Sequence, residues 1–508
     1  MKFSRQMLQA SIGIILLILG VPLNRYSSRR YLEKRYVVDS ASCRLNVMVV
    51  QRSDLAELPE QSEAGSVVLF HGISANGLIM EYLARSFAEL GLRVFIPDLP
   101  GHGHSPGPFS PETAESCSAS LIRGLAARGM IEPQHTILAG HSMGGAIALR
   151  VADKFRPAGV IAISPAPMQT AHGVIRQNLL FNGLPRVVPN TRILVGQFEP
   201  LWMSANAADL VASAHDPSVV FSVVPWTTHV SVLFSPAVAA ASQAWAAQVL
   251  ALSETTQLPS RLNLLACLMG FAGIILVSGP FIRDVVGKKP RDDIAGVPAT
   301  PWWRAVLEVI LLTLAVVFLF RHWLPLRFLH LFEGDYLASF FLIVGLVLLA
   351  IHFRATRDQL LLSRGLLLGS ALAGFLLQFL ISSWFELTAT SAWLTFARWL
   401  RFPIFLFAAF CFLYALELFA GPVKRPFLRF VFWLLLVALA WHSLALGVLH
   451  LRSGEILLVL LSPYFFLLFL LSGLGIQLVR KLTGSPTAAA TFGAILVAGF
   501  CLALFPVS

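Results

Sequence analysis

Ser142 stands at the centre of Gly140-His141-Ser142-Met143-Gly144-Gly145, a Gly-x-Ser-x-Gly pentapeptide with one more glycine behind it. A serine hydroxyl is a weak nucleophile until a base takes its proton. Acyl transfer through it also needs a group that orients the base and donors for the developing oxyanion. An apolar, β-branched run (135–139) precedes the pentapeptide and a small-residue helical stretch (146–152) follows it. Strand, pentapeptide and helix in that order predict a tight turn that holds the serine at strained dihedrals, clear of the sheet edge. Residues two before and two after the serine must lack bulk in such a turn, hence Gly140 and Gly144. The turn points Oγ at a helix N-terminus, whose free N–H groups favour negative charge. The plain alternative for Ser142 is a helix N-cap.

The base belongs after the last strand of such a fold, where Val224-Pro225-Trp226-Thr227-Thr228-His229-Val230 supplies His229. The acid belongs after the strand before it, and Ile193-Leu194-Val195-Gly196-Gln197-Phe198-Glu199 offers Glu199. Asp209 and Asp216 are the other candidates, but both fall on or after the next helix. The order Ser142, Glu199, His229 is serine–acid–histidine. In it Glu199 would fix the tautomer of His229 and stabilise its imidazolium. The oxyanion donors are the N–H of Met143, directly after the nucleophile, and the N–H of Ile73, where His71-Gly72 lets the backbone come close. Asp98 and His102 read as loop-shaping residues. His229 has a plain reading as well, as a loop histidine without a chemical role.

The elements that must position these residues alternate between strand and helix from Tyr36 to about Leu252, which argues an α/β fold with a mostly parallel sheet. Tyr36–Gln51 reads as a β-ribbon, and 66–70, 93–96, 135–139, 159–164, 192–196 and 219–224 read as strands. Helices fall at 80–90, 111–128 and after the pentapeptide. Each chemically suggestive residue lies just past the C-terminal end of a strand, where open α/β sheets place their sites.

The rest of the chain is of another kind. Over 508 residues, hydrophobic types make up 56% and charged types 13%, and mean hydropathy is +0.73, unlike a soluble globular average. Met7–Leu23, with Lys2 and Arg5 before it, reads as an uncleaved signal anchor, with a cleaved signal as the alternative. Eight further apolar runs suit a bilayer crossing: 262–282, 305–323, 336–353, 365–384, 402–420, 430–449, 456–479 and 488–505. Trp302, Trp303, Trp323, Trp384 and Trp399 fit an interfacial belt. His442 and Glu417 are ionisable residues inside these runs and are suspects for function on that ground. This divides the chain into an anchor and basic linker (1–35), an α/β domain (36–253) and a membrane domain of about eight helices (254–508).

The net charge of +11 comes from basic residues beside apolar runs rather than from one solvated stripe, so it argues for membrane flanks and against nucleic acid. Arg283, Lys288, Lys289, Arg291 and Arg304, then Arg354, Arg357 and Arg364, then Lys424, Arg425 and Arg429, then Arg480 and Lys481 lie in alternate loops. The positive-inside rule puts those loops in the cytoplasm, and the α/β domain and the C-terminus outside. The basic run Arg25–Arg35 argues the other way. Of the five cysteines, Cys267, Cys411 and Cys501 lie in apolar runs. Cys43 and Cys117 read as unpaired; a bridge between them would require an oxidising compartment.

His71-Gly72, Asp98-Leu99-Pro100-Gly101-His102-Gly103-His104-Ser105, the Gly140–Gly145 block and Thr228-His229 together resemble the α/β-hydrolase superfamily. Within it they most resemble the branch of monoacylglycerol lipases, lysophospholipases and serine-aminopeptidase-like enzymes. The resemblance covers about residues 40–252 and specifies fold more than substrate. It implies an α/β-hydrolase fold, here with a minimal cap; the all-α multi-span membrane domain that follows is read from the apolar runs and has no counterpart in that branch. The branch usually has Asp as the acid, so Glu199 departs from it. The branch often inserts a helical lid where only 165–191 stand here. The cleft is then shallow, or is completed by the membrane half or the lipid surface.

The expectation is a membrane-bound serine hydrolase, in a bacterial inner membrane with its α/β domain outside. It would cleave a carboxylic ester of a lipid or lipid-like substrate, with no metal or organic cofactor and with membrane lipids as neighbours. The alternative is a transporter or scaffold whose hydrolase-like domain senses a ligand without turnover.

Overall fold

Short apolar runs bounded by glycine, proline and polar turns become strands, and the long apolar runs become helices. The computed structural model describes residues 5–40, 43–55, 64–165, 181, 185–253, 255, 257–287, 301–323, 328–352, 364–451 and 455–508. The short segment that could have held a cap (166–180 and 182–184) and several basic loops, including Lys288, Lys289, Arg291, Arg354 and Arg357, lie outside the described residues. The chain divides into two units. One holds Val21–Cys267 with Phe385–Ser391 and Phe505–Ser508; the other holds Met1–Gly20, Leu268–Trp384 and Ala392–Leu504.

The first unit is built on eight strands: β1 (Tyr31–Ser40), β2 (Cys43–Arg52), β3 (Ser66–Phe70), β4 (Arg93–Pro97), β5 (Thr136–His141), β6 (Gly159–Ile163), β7 (Thr191–Gly196) and β8 (Val219–Val224). Their order across the sheet is β1-β2-β4-β3-β5-β6-β7-β8. β2 pairs antiparallel with β1 and β4, and the remaining neighbours are parallel. Strands β3, β5 and β6 are buried along their whole length, as continuous apolar runs in a parallel sheet covered on both faces must be. β1 is the edge, and its Lys34, Arg35, Tyr36 and Val37 are exposed; charges on an edge discourage pairing with another chain. It starts at Tyr31, inside the stretch read from composition as a basic linker.

Six helices accompany the sheet and the N-terminus: α1 (Arg5–Ser28), α2 (Glu81–Ala88), α3 (Pro111–Ala127), α4 (Met143–Phe155), α5 (Leu201–Ala214) and α6 (Pro236–Val249). α3 opens with a full capping box. Ser110 Oγ accepts the Thr113 N–H at 3.1 Å, Thr113 Oγ1 accepts the Ser110 N–H at 2.7 Å, and Pro111 fills the first turn. Asp209 lies on α5 and Asp216 after it. Cys43, opening β2, and Cys117, on α3, form a disulfide with Cα atoms 5.5 Å apart. This overturns the unpaired reading: 74 positions of chain separate the two residues, and only the packing of α3 beside the first strands brings them together.

The second unit is helical. It takes the first residues of α1 together with α7 (Leu262–Val286) from Leu268 on, α8 (Trp302–His322), α9 (Gly334–Ile351), α10 (Arg364–Thr388) up to Trp384, α11 (Phe396–Ala420), α12 (Pro426–Leu451), α13 (Ile456–Leu460), α14 (Ser462–Thr483) and α15 (Pro486–Leu504). Among the described residues nine helices are long and apolar enough to cross a membrane. The run read as one span over 456–479 is broken at Leu461 into α13 and α14, with Pro463 in the first turn of the second helix; proline lacks the N–H that would continue the ladder. Gly13 and Gly273 face each other so closely that a Cβ on either would fall 2.7 or 2.6 Å from the other's carbonyl oxygen, the small-residue contact that lets two apolar helices approach. Trp302, Trp303, Trp323 and Trp399 are exposed as a belt requires. Trp384 is not; it is buried with its ring over Gly270. Glu417 is fully buried and accepts a hydrogen bond from Gln477 Nε2 at 2.6 Å, whereas His442 lies on the exposed side of its helix.

Candidate active site

The turn from β5 into α4 carries Ser142 at φ 53°, ψ −118°, a conformation that costs a non-glycine residue of order 1–3 kcal/mol. The two flanking glycines permit it. A Cβ at Gly140 would lie 2.2 Å from the Gly144 carbonyl oxygen, and one at Gly144 would lie 2.2 Å from that of Phe70. The Ser142 N–H bonds to the Ile163 carbonyl at 2.9 Å and its own carbonyl accepts from Ala146 at 3.1 Å. The residue is therefore fixed to the neighbouring strand on one side and to the helix on the other.

His229 follows β8 and Glu199 follows β7, and the sheet brings both to Ser142. Ser142 Oγ lies 3.0 Å from His229 Nε2, and His229 Nδ1–H donates to Glu199 Oε2 at 2.8 Å. The Glu199 side chain is wholly buried while that of His229 stays partly open. The second oxygen of Glu199 accepts the Gly196 N–H at 2.7 Å and the Ser164 hydroxyl. A buried carboxylate must be met in this way, because stripping it of water without partners costs far more than any one bond returns. Ser164 directly follows β6 at φ 47°, and the motif by itself does not point to it. Its only signal was position, one residue past a buried strand and beside the acid's strand.

His141 is another residue whose part was not read from the motif. Its Nε2–H donates to the His229 carbonyl at 2.7 Å, and the two rings stand 4.9 Å apart. Burial, then the nearby His229, hold its pKa well below the ordinary histidine value, so it stays a neutral donor that ties the backbone of the base to the strand of the nucleophile.

The loop after β3 completes the rim. His71, whose pKa burial also lowers, accepts the Leu99 N–H on Nε2 at 2.9 Å and donates from Nδ1 to the Gly72 carbonyl at 2.7 Å. A Cβ on Gly72 would come within 3.1 Å of Ser142 Cβ, so the backbone leading into Ile73 passes directly beside the nucleophile. Met143 N belongs to the first turn of α4, a helix of 13 residues, at the positive end of its dipole. Asp98 spends its carboxylate on the N–H groups of Gly77 at 2.7 Å and His104 at 2.9 Å, shaping two loops. Ser142, directly after β5, thus lies at the point where the sheet order runs to β4 on one side of β3 and to β5 on the other, the crevice open α/β sheets use for ligands. Among the described residues no cluster of three or more His, Cys, Asp or Glu side chains could hold a metal ion.

A hydroxyl, an imidazole and a buried carboxylate hydrogen-bonded in series are the groups that acyl transfer through serine requires. Residues 61–255 match the family model Hydrolase 4, described as serine aminopeptidase. An uncharacterized abhydrolase domain-containing protein of Dictyostelium discoideum is 28% identical over 165 residues, covering 32% of this chain and 16% of that relative's length. Among solved structures, an a/b serine hydrolase without lid from Xanthomonas campestris is 18% identical, with a TM-score of 0.34 over 44% of this chain and 96% of that one. A hyperthermophilic esterase from the archaeon Pyrobaculum calidifontis is 14% identical, with a TM-score of 0.35 over 48% of this chain and 93% of that one. By family match and by sheet topology, this stretch of the chain is an α/β serine hydrolase fold, followed by helices apolar enough to span a membrane.

Proposed function

We propose that the protein is a membrane-bound serine hydrolase that cleaves a carboxylic ester of a lipid or lipid-like substrate through an acyl-enzyme. Ser142 Oγ attacks the ester carbonyl as His229 Nε2 takes its proton. Glu199 keeps the imidazole proton on Nδ1, leaving Nε2 free to accept, and offsets the charge that follows, and the N–H groups of Met143 and Ile73 receive the oxyanion. Collapse expels the alcohol, which takes the proton back from His229. Water then repeats the sequence on the acyl-serine and releases the acid. The observation that carries this reading is the unbroken hydrogen-bonded chain from Ser142 through His229 to the wholly buried Glu199.

The lipid-like substrate is supported by the rim. Phe198, Leu201 and Trp226, neighbours in sequence of the acid and the base, are 56%, 88% and 82% exposed. Trp226 is held at φ 59°, so backbone strain is spent on keeping a large apolar ring in the open. An extracytoplasmic position is supported by the Cys43–Cys117 disulfide, since such bonds persist in oxidising compartments.

Labelling of the detergent-purified chain with a fluorophosphonate probe tests the reading. The native protein should react and turn over p-nitrophenyl esters and monoacylglycerols. Ser142→Ala should lose labelling altogether and roughly 10⁶-fold in kcat, with its Tm unchanged. A native chain that neither labels nor turns over would favour a ligand-sensing domain instead. A reporter fused after Ser508 should be active only outside the cytoplasm.

A further inference from the structure

The loop from β3 to the short helical turn at Gly77–Met80 has to place the Ile73 N–H against a developing charge, yet its own geometry is unfavourable. Ser74 sits at φ 58°, the left-handed region that a non-glycine residue occupies only when its surroundings impose it. The loop is tied at its start by the His71 ring to Leu99 and at its end by the Gly77 N–H to Asp98. Between these ties one side chain is held from outside.

That side chain is Asn76, which is buried. Its Oδ1 accepts from the Leu78 N–H at 3.2 Å, within its own turn, and from the Ser391 N–H at 3.1 Å. Its Nδ2 donates to Thr390 Oγ1 at 2.8 Å and to the Ser391 carbonyl at 3.3 Å. Two donors and two acceptor positions exhaust what an amide side chain can offer. Three of the four bonds go to residues 314 and 315 positions further along the chain, in the 385–391 segment and belonging to the same unit as the sheet. Neighbouring contacts fix that segment in place. Glu386 meets His104 at 3.0 Å, on the glycine-rich loop that Asp98 organises, and Arg35 at 3.7 Å, on the edge strand.

We propose that Asn76 is a positioning residue for the oxyanion loop, set by Thr390 and Ser391, so that a segment following an apolar helix of the second half determines how well the first half stabilises its transition state. The inference rests on the hydrolase reading and deepens it. Asn76 touches no reacting atom; it acts through Ile73, three residues before it. Losing the clamp leaves Ser142, His229 and Glu199 in place but lets the strained loop relax away from the oxyanion, an interaction made in the transition state more than in the ground state.

The test uses the full-length chain in detergent, with active sites titrated by the fluorophosphonate. Turnover is measured with p-nitrophenyl butyrate, and inhibition with a trifluoromethyl ketone whose hemiketal oxygen occupies the oxyanion position. Asn76→Ala should lower kcat per titrated site about tenfold with KM within about twofold, and the ketone's Ki should rise in step with the loss. Thr390→Val, which removes one acceptor outside the loop, should move both quantities about threefold the same way, and Thr390→Ser should restore them. If Asn76 only maintains the fold, its variant lowers the titratable fraction while kcat per site and Ki stay at wild-type values, and that result overturns the proposal. Should Asn76→Ala fail to fold, Thr390→Val decides by the same two readouts. Absence of wild-type turnover would sink the hydrolase reading and this inference together, whereas an active wild type with indifferent variants sinks this one alone.

Discussion

In the sheet unit, polar side chains find partners far away in the chain. His229 and Ser142 are 87 positions apart, Arg85 and Glu33 are 52, and Ser164 and Glu199 are 35. In the helical unit, hydroxyls turn back on their own helix. Ser278, Ser339, Ser383 and Thr491 each donate to the carbonyl four residues earlier. A helix in hydrocarbon must satisfy polar atoms from within its own turn or from a neighbouring helix, because no water can do it. A sheet instead gathers strand ends from distant parts of the sequence at one edge, which is what a multi-residue site requires. The long-range bonds within the helical unit come instead from charged and amide side chains: Gln477 donates to Glu417 across 60 positions, Arg429 to Gln477 across 48, and His352 pairs with Glu308 across 44.

The contrast predicts that cutting a long-range polar link in the sheet unit costs function or stability, while cutting a local one in a helix does not. The largest effect is expected at Glu199→Gln. The amide cannot both accept from His229 Nδ1–H and keep the charge that stabilises the imidazolium, so kcat should fall on the order of 10³- to 10⁴-fold with the fold intact. Loss of less than tenfold would mean that another acid serves. Next is the disulfide. Closing a loop of 74 positions is worth roughly 4 kcal/mol in the chain-entropy description. Cys43→Ser with Cys117→Ser should therefore lower Tm by several degrees, while activity per folded molecule at 25 °C stays near wild type. An unchanged Tm would remove the bridge from the list of long-range ties.

The third expectation concerns pH. His141 has its pKa held well below the free value, and His71 has its pKa lowered, both chiefly by burial. The unfolded chain takes up their protons first, so their contribution to stability is fully present above about pH 6.5 and is lost as pH falls from there toward the folded pKa values. Tm should drop between pH 6.5 and 5, and His141→Gln should flatten part of that drop. A variant with the native acid profile would assign the lability elsewhere. The smallest effect is expected in the helices. Ser339→Ala removes a buried hydroxyl whose bond stays within its own turn, so activity should remain within twofold and Tm nearly constant. A large loss there would end the distinction between the two regions.

Much of this was legible in the sequence because it is local. The glycines at 140 and 144 follow from the steric needs of one turn. The strands of the sheet and the candidate spans follow from the length and continuity of apolar runs, apart from the break at Leu461 and the early start of β1 at Tyr31. Spacing named Ser142, Glu199 and His229 as residues at strand ends. What no spacing could give is which side chains meet once the strands are side by side. The Ser164 hydroxyl on Glu199, the His141 ring on the His229 carbonyl, the disulfide, the burial of Trp384 and the Asn76 clamp all join residues that the sequence lists far apart or without relation. Local sterics and hydrophobicity act along the chain and can be read along it; hydrogen bonds between distant segments depend on register and packing, which only the assembled fold sets.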